Sequence, residues 1–327
     1  MTSFPRIFTL ALWALAVVSF SNPASAQYPD RPVKVIVPYS AGGPADLLAR
    51  VVAQKLSTSL GQSFLIENKP GAGLVVGAEA AAKSAPDGYT LFVAASSMLM
   101  DAGTNARGRS PEDNLRDFAP ISLIGSLPLV VITNVSMPVQ SARDLLDYAR
   151  KRPGEVNFGS SGAGSLTALA GELFNTMGGV TMQHIPYRGI NEAITDLIGG
   201  RVQVAFAGAP IALPNVKAGK VRAIAVTSLT RMSSASELPT LAETGLAGYD
   251  INPWYGLVAP TGTPAPILNK LHAEINRILA QAEVKERWSQ WGAESTGSKS
   301  PAEFSNLMRN ETNRWAKMRA EGKVKMD

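Results

Sequence analysis

An α/β protein of two lobes is the fold class this sequence predicts, and three observations predict it. Residues 33–50, VKVIVPYSAGGPADLLAR, run from an apolar strand through a glycine corner straight into a helix. Residues 156–178 repeat that order far downstream, through the corner GSSGAGS. Strand and helix patterns alternate elsewhere along the chain, which predicts a mainly parallel sheet.

Val33, Val35 and Val37 flank Ile36 as in a buried strand, Gly42 and Gly43 allow close backbone approach, and Pro44 suits a first helical turn. The corner is expected to aim free backbone N–H groups at open space, because the first N–H groups of a helix lack partners and the macrodipole favours an anion there. Gly61 ends that helix. Ser63 to Glu67 reads as a strand, Gly71 to Gly77 as a turn into an alanine-rich helix, and Tyr89 to Ala94 as another strand. Asp101 to Arg116 is polar and predicts an irregular surface excursion. A strand follows at Leu129 to Thr133 and a helix at Ser141 to Lys151.

Val156 and Phe158 lead into the second corner, and Leu166, Leu169, Ala170, Leu173, Phe174 and Met177 then keep helical spacing up to Gly178 and Gly179. Next come a strand at Gln183 to Pro186, a helix around Asn191 to Ile198, and strands at Val202 to Phe206 and Val221 to Val226. Trp254 to Pro266, rich in Pro and Gly, reads as a crossing back between lobes. Helices are expected near Pro266 to Gln281 and Pro301 to Ala320, the second opening with a capping box, Ser300 and Glu303. Two corners of this kind suggest a small anion held between two helix starts.

The chain opens with Arg6, an apolar run from Ile7 to Phe20 and then Ala24-Ser25-Ala26, the pattern of an exported leader cleaved after Ala26. The run is too short for a spanning helix. There are no cysteines, which removes disulfides, thiol catalysis, zinc–thiolate sites and a lipidated anchor, and leaves a soluble periplasmic protein as the expectation. The formal charge is +5, or +4 without Arg6, and it is scattered among acids. Nothing tracks a phosphate backbone, so no nucleic-acid partner is expected.

Catalytic material is thin. The two histidines, His184 and His272, read as structural or surface residues, and the stretch at Ser161 resembles a nucleophile elbow but has Ala163 in place of the closing glycine. The Gly71 to Gly77 run resembles a dinucleotide loop, yet its last glycine is late and the next strand ends in Ala94-Ala95-Ser96 with no acid for a ribose. No Walker sequence and no metal-ligand spacing occurs, so neither cofactor nor metal is expected. Asp46, in the first turn of its helix, complements the dipole, orders the loop or accepts from a ligand. Tyr39 is core or a flat wall for a ligand.

Taken together, VPYSAGGPADLLAR, ENKPGAGLVVGAEAAAKSAPDGYTLF, GSSGAGS with GELF behind it, HIPYRG, DLIGGRVQVAF, AGKVRAIAVTS, ELPTLAETGLAGYD and WYGLVAPTGTPAP resemble the periplasmic substrate-binding proteins of tripartite tricarboxylate transporters, the Bug family. The resemblance implies a two-lobed periplasmic binding protein, type II-like, in a Venus-flytrap arrangement. Residues 27–126 with 254–327 would form one lobe and 127–253 the other, with crossings near Ser126 and Pro253. It implies a small organic carboxylate as ligand, membrane transporter subunits as partners, a monomer and no catalysis. An exported serine hydrolase using Ser161 and a sensory protein presenting its ligand to a receptor are the alternatives.

Carried over by position, Tyr39, Ser40, Ala41, Gly42, Gly43 and Asp46 form one jaw, Ser160, Ser161, Gly164 and Ser165 the other, and Ser96 and Ser97 lie between them. Many members have a histidine where this chain has Ala168 and an aspartate where it has Ala207. Asn105 to Leu115 also departs from the usual approach to Asp117-Phe118. Without that aspartate an amino-acid ammonium lacks its partner, so a carboxylate with a neutral body is expected.

Overall fold

The computed structural model describes residues 28–71, 74–100, 110–162, 165–295 and 297–322. The leader at 1–26, Gly164, and residues 101–109 of the expected excursion lie outside the described residues.

In chain order the elements are β1 Val33–Val37, α1 Pro44–Leu60, β2 Phe64–Asn68, α2 Val75–Ala82, β3 Thr90–Ala95, a 3-10 turn Ser96–Leu99, α3 Pro111–Asp117, β4 Phe118–Ser126 and β5 Leu129–Asn134. They continue with α4 Ala142–Arg150, β6 Asn157–Ser160, α5 Leu166–Gly178, β7 Gln183–Pro186, α6 Ile190–Ile198, β8 Val204–Gly208, α7 Ala209–Lys217 and β9 Val221–Val226. After a further short 3-10 turn, β10 Trp254–Pro260, α8 Ala265–Leu279, α9 Ala282–Gln290 and α10 Pro301–Ala320 complete the chain.

The strands form two five-stranded sheets of the same order, β2-β1-β3-β10-β4 and β7-β6-β8-β5-β9. The two glycine corners are therefore one part of a resemblance that extends over whole sheets. Both sheets are mixed, which corrects the expectation of mainly parallel ones. β1 pairs parallel with β2 and β3, while β10 runs antiparallel to β3 and β4. β5 takes the equivalent place between β8 and β9. Each antiparallel strand is the first one after a crossing between the sheets, and the two crossings lie side by side, with the Leu127 N–H donating to the Pro253 carbonyl at 2.7 Å.

Helices cover both faces of each sheet, so the central strands are apolar throughout rather than alternating in polarity. In the first sheet Val35, Leu91, Val93 and Leu257 pack on one face beneath α1 and α8. Ile36, Phe92 and Val258 pack on the other, against Phe304 of α10. In the second sheet Val131, Phe158 and Phe206 meet α5 on one face, and Val130, Ile132 and Ala205 meet α6 and α7 on the other.

Further corrections have local causes. Trp254–Pro260, part of the stretch expected to cross back between lobes, is a sheet strand, and Gly256 is required there because a Cβ would stand 2.2 Å from Phe304 Cζ. The excursion ends in α3, whose Ser110 accepts from the Asp113 N–H while the Asp113 carboxylate accepts from the Ser110 N–H. β4, unread in the sequence, carries Pro120 but lies at a sheet edge, where a missing donor is tolerated. At α10, Ser300 accepts from the Glu303 N–H, but the Glu303 carboxylate turns to the Lys299 N–H, so half of the expected capping box forms.

Candidate functional site

Both glycine corners sit where a parallel strand ends and a helix begins, β1 into α1 and β6 into α5. This is the position at which open α/β sheets bind ligands. At the first corner the conformational demand falls on Gly42, whose φ of +82° is left-handed, and not on Gly43, the N-cap of α1 at φ −76°. A side chain at Gly42 would be strained, whereas one at Gly43 would meet only the Ser40 carbonyl, at 3.6 Å.

Asp46 organises this corner. Its Oδ2 accepts from the Gly42 N–H at 2.8 Å and from Arg50 Nε at 2.8 Å, and its Oδ1 accepts from Asn68 Nδ2 at 2.9 Å. Burial alone would raise the Asp46 carboxyl, but the Arg50, Gly42 and Asn68 donors outweigh it and hold the group below its ordinary value. Asn68 also donates to the Tyr39 carbonyl at 3.0 Å, joining the end of β2 to the corner. The Gly42 N–H is thus not free for an anion, which corrects the sequence expectation. Pro44 offers none, so the donors left in the first turn of α1 are those of Ala45 and Asp46.

Ser40 and Ala41 are exposed at the tip of the corner. Behind them the Tyr39 hydroxyl lies 3.1 Å from Ser97 Oγ, and its ring meets Tyr255 edge-on at 6.1 Å. Burial pushes the Tyr39 phenol up to about 12, so it stays protonated. Ser96 is buried and turns its hydroxyl towards the Trp254 N–H, at 3.4 Å. Tyr39, Ser97 and Tyr255 therefore make one wall from the ends of β1, β3 and β10.

The second corner is tied mostly to itself. Ser160 Oγ lies 2.6 Å from His184 Nε2 and accepts from the Gly162 N–H at 3.1 Å. The Ser161 N–H donates to Thr167 Oγ1 at 2.9 Å, and the Ser161 hydroxyl lies 2.9 Å from the same atom. Ser165 is the N-cap of α5, accepting from the Ala168 N–H at 3.1 Å while donating to the Gly162 carbonyl at 2.7 Å. Ser165→Ala is expected to lower stability by about 1–2 kcal/mol, since a cap and a second hydrogen bond go together. An unchanged urea midpoint would show that the backbone alone holds this helix start.

Ser160, the serine that meets a histidine, is fully buried, and Ser161 meets only Thr167. His184 stacks on Phe158 at 4.9 Å, and burial pushes its imidazole down towards the neutral form. Ala207 is fully buried opposite Val130 in β5, within the apolar cluster of Ala205, Ala209 and Ala212. Among the described residues no group of three or more His, Cys, Asp or Glu side chains comes together to hold a metal.

The sequence reading missed Arg50, Asn68, Thr167, His184 and Tyr255 as parts of these corners. Only Asp46 and Arg50 carried a signal, the i,i+4 spacing of a helical ion pair.

Residues 48–322 match the family model of the tripartite tricarboxylate transporter family receptor. Protein BugT of Bordetella pertussis is 37% identical over 303 residues, 92% of this chain and 93% of its own. A solved R. palustris protein carrying adipate is 34% identical with a TM-score of 0.78, covering 91% of this chain and 99% of that one. MatC from Rhodopseudomonas palustris, solved with bound malate, is 30% identical with a TM-score of 0.72, covering 88% and 98%.

Proposed function

The chain belongs to the tripartite tricarboxylate transporter receptor family, and from that membership we propose that it is a periplasmic solute-binding protein that captures a small organic carboxylate and passes it to membrane transporter subunits. Its address follows from the leader ending at Ala26. The observation that carries the reading is the pair of equivalent corners, each placing a helix start at the carboxyl end of a strand in sheets of identical order.

The lobes are residues 27–126 with 254–327, and residues 127–253, except that the end of α10 sets Trp315 into the core of the second. The separate sheets and the paired crossings at Leu127 and Pro253 support that division. Between the lobes, the first turns of α1 and α5 offer backbone donors to the carboxylate, with Tyr39, Ser40, Ala41, Gly43, Ser97 and Ser165 around them. Gly42, Asp46, Ser96, Ser160 and Ser161 shape the corners from behind. No chemical step is assigned to the site: the buried Ser160 and the Thr167-bound Ser161 favour capture over hydrolysis. Adipate and malate in two relatives favour a dicarboxylate or a similar anion, and Ala207 leaves no acid for an ammonium.

A thermal-shift screen against mono-, di- and tricarboxylates tests the reading, because a ligand at 100 times its dissociation constant adds about 2.7 kcal/mol of stability. The wild type should respond to a dicarboxylate and not to glutamate. Gly43→Val should fold, since its Cβ has room, and lose affinity by more than about tenfold as the side chain blocks close approach. No response to any carboxylate would reject the proposed ligand class, and unchanged affinity in Gly43→Val would remove the first corner from the site.

A further inference from the structure

The two corners are equivalent in backbone and unlike in charge. Asp46 is the third residue of α1 and Ala168 the third of α5, so the acid of the first corner has no counterpart in the second. The strands beside the corners differ in the reverse sense. β2 and β7 hold the same outer place in their sheets, and the same contact follows each: the Lys69 N–H donates to the Val37 carbonyl at 2.8 Å, and the Tyr187 N–H to the Ser160 carbonyl at 3.1 Å. One residue farther along stand Pro70 in the first half and Arg188 in the second.

Arg188 is thus a cation set against the second corner. The carbonyl of its neighbour Tyr187 lies 3.4 Å from where a Cβ on Gly162 would stand. Arg188 itself is exposed, and Gly189 beside it faces open space, with nothing within 4 Å of a Cβ built there. Other cations near the carboxyl ends of the strands are matched: Lys69 pairs with Glu67, Arg231 with Glu243, and Arg50 of the first corner with Asp46. Among the described residues no carboxylate pairs with the Arg188 guanidinium. The acids of α6 are engaged elsewhere. Glu192 accepts from the main-chain N–H of Arg188 at 3.3 Å, and Asp196 accepts from the Tyr187 hydroxyl at 2.8 Å and from Arg201 at 2.9 Å.

We propose that Arg188 selects for a second carboxylate: with one end of the ligand on the backbone donors of the helix starts, the guanidinium receives the carboxylate at the other end. The inference rests on the capture reading and narrows its ligand class to dicarboxylates. Helix-start N–H groups serve any carboxylate, so the corners alone do not tell adipate from hexanoate. A guanidinium does, because its planar fork matches a carboxylate with two parallel hydrogen bonds and offers nothing to a methyl group. Held between two lobes, such a pair is shielded from water and is worth more than an ion pair on an open surface.

Calorimetry on the mature protein with adipate, and with hexanoate as its one-carboxylate equal in length, tests the assignment. The wild type should bind adipate at least about tenfold more tightly than hexanoate. Arg188→Ala should remove most of that ratio, weakening adipate while hexanoate stays within about twofold, and Arg188→Lys, which keeps the charge without the fork, should fall between. Both variants should melt with the wild type in the absence of ligand, since the side chain is exposed. Added salt should weaken adipate binding more in the wild type than in Arg188→Ala. A loss shared equally by adipate and hexanoate, a ratio that survives in Arg188→Ala, or a wild type that holds hexanoate as tightly as adipate would overturn the assignment and leave the capture reading standing. Failure of the wild type to bind either acid would reject the capture reading and the role of Arg188 with it.

Discussion

Gly256→Val is expected to cost about 3 kcal/mol, an overpacking penalty at the upper end of the usual range. The reason lies in one contact. A Cβ at Gly256 would stand 2.2 Å from Phe304 Cζ and 2.7 Å from Cε1. Phe304 is fully buried and meets Trp254 edge-on at 5.4 Å, so its ring cannot retreat without disturbing the crossing that Trp254 begins. Urea unfolding should show a lower midpoint with little change in slope. Phe304→Ala alone should cost about 3–5 kcal/mol, but the double substitution should cost clearly less than the sum, because each relieves the damage of the other. Additive losses would mean that the glycine is kept for another reason.

Asp46→Ala should weaken both the fold and capture. Three donors, the Gly42 N–H, Arg50 Nε and Asn68 Nδ2, lose a shared acceptor that is only 1% exposed. Arg50 and the exposed Gly42 N–H can turn to water, whereas the half-buried Asn68 amide loses a close partner, which suggests a loss of about 1–2 kcal/mol. Affinity should drop by more than about tenfold, since this carboxylate holds the Gly42 N–H and with it the left-handed turn of the corner. The pH dependence has a definite sign. The folded pKa of Asp46 lies below its unfolded value, so its contribution is present above the ordinary carboxylate range and is lost as pH falls through the folded pKa. Wild-type stability should therefore fall below about pH 4 more steeply than that of Asp46→Ala. Parallel acid profiles would show that the carboxylate does not support the folded state.

Much of this was legible in the amino-acid order. The corner at Gly42 and Gly43 and its echo at Gly159 announce themselves because a strand, a turn and a helix each carry their own periodicity, and together they fix where helix starts fall. Asp46 was legible as a first-turn acid, but its choice among three roles was not, since the deciding partner, Asn68, arrives through the pairing of β2 with β1. Thr167 gave no local signal, because its hydroxyl matters only once the loop folds back on it. The strand at Trp254 was hidden for a similar reason: Gly256 looks like a breaker until Phe304, far along the chain, is seen to need its space. Pro210 and Pro214 concealed α7 in the same manner.

The equal strand order of the two sheets has an unequal consequence in time. Strands β5 to β9 follow one another without interruption, so the second sheet has all its members once Val226 has left the ribosome. The first sheet does not. Its fourth position, between β3 and β4, waits for Trp254–Pro260, made only after the entire second sheet. A nascent chain stopped at Pro253 would hold β3 and β4 with an unfilled slot between them. The sheet begun first is thus the sheet finished last, and arrest before β10 should yield species whose protected amides map to residues 129–226 rather than to the amino-terminal sheet.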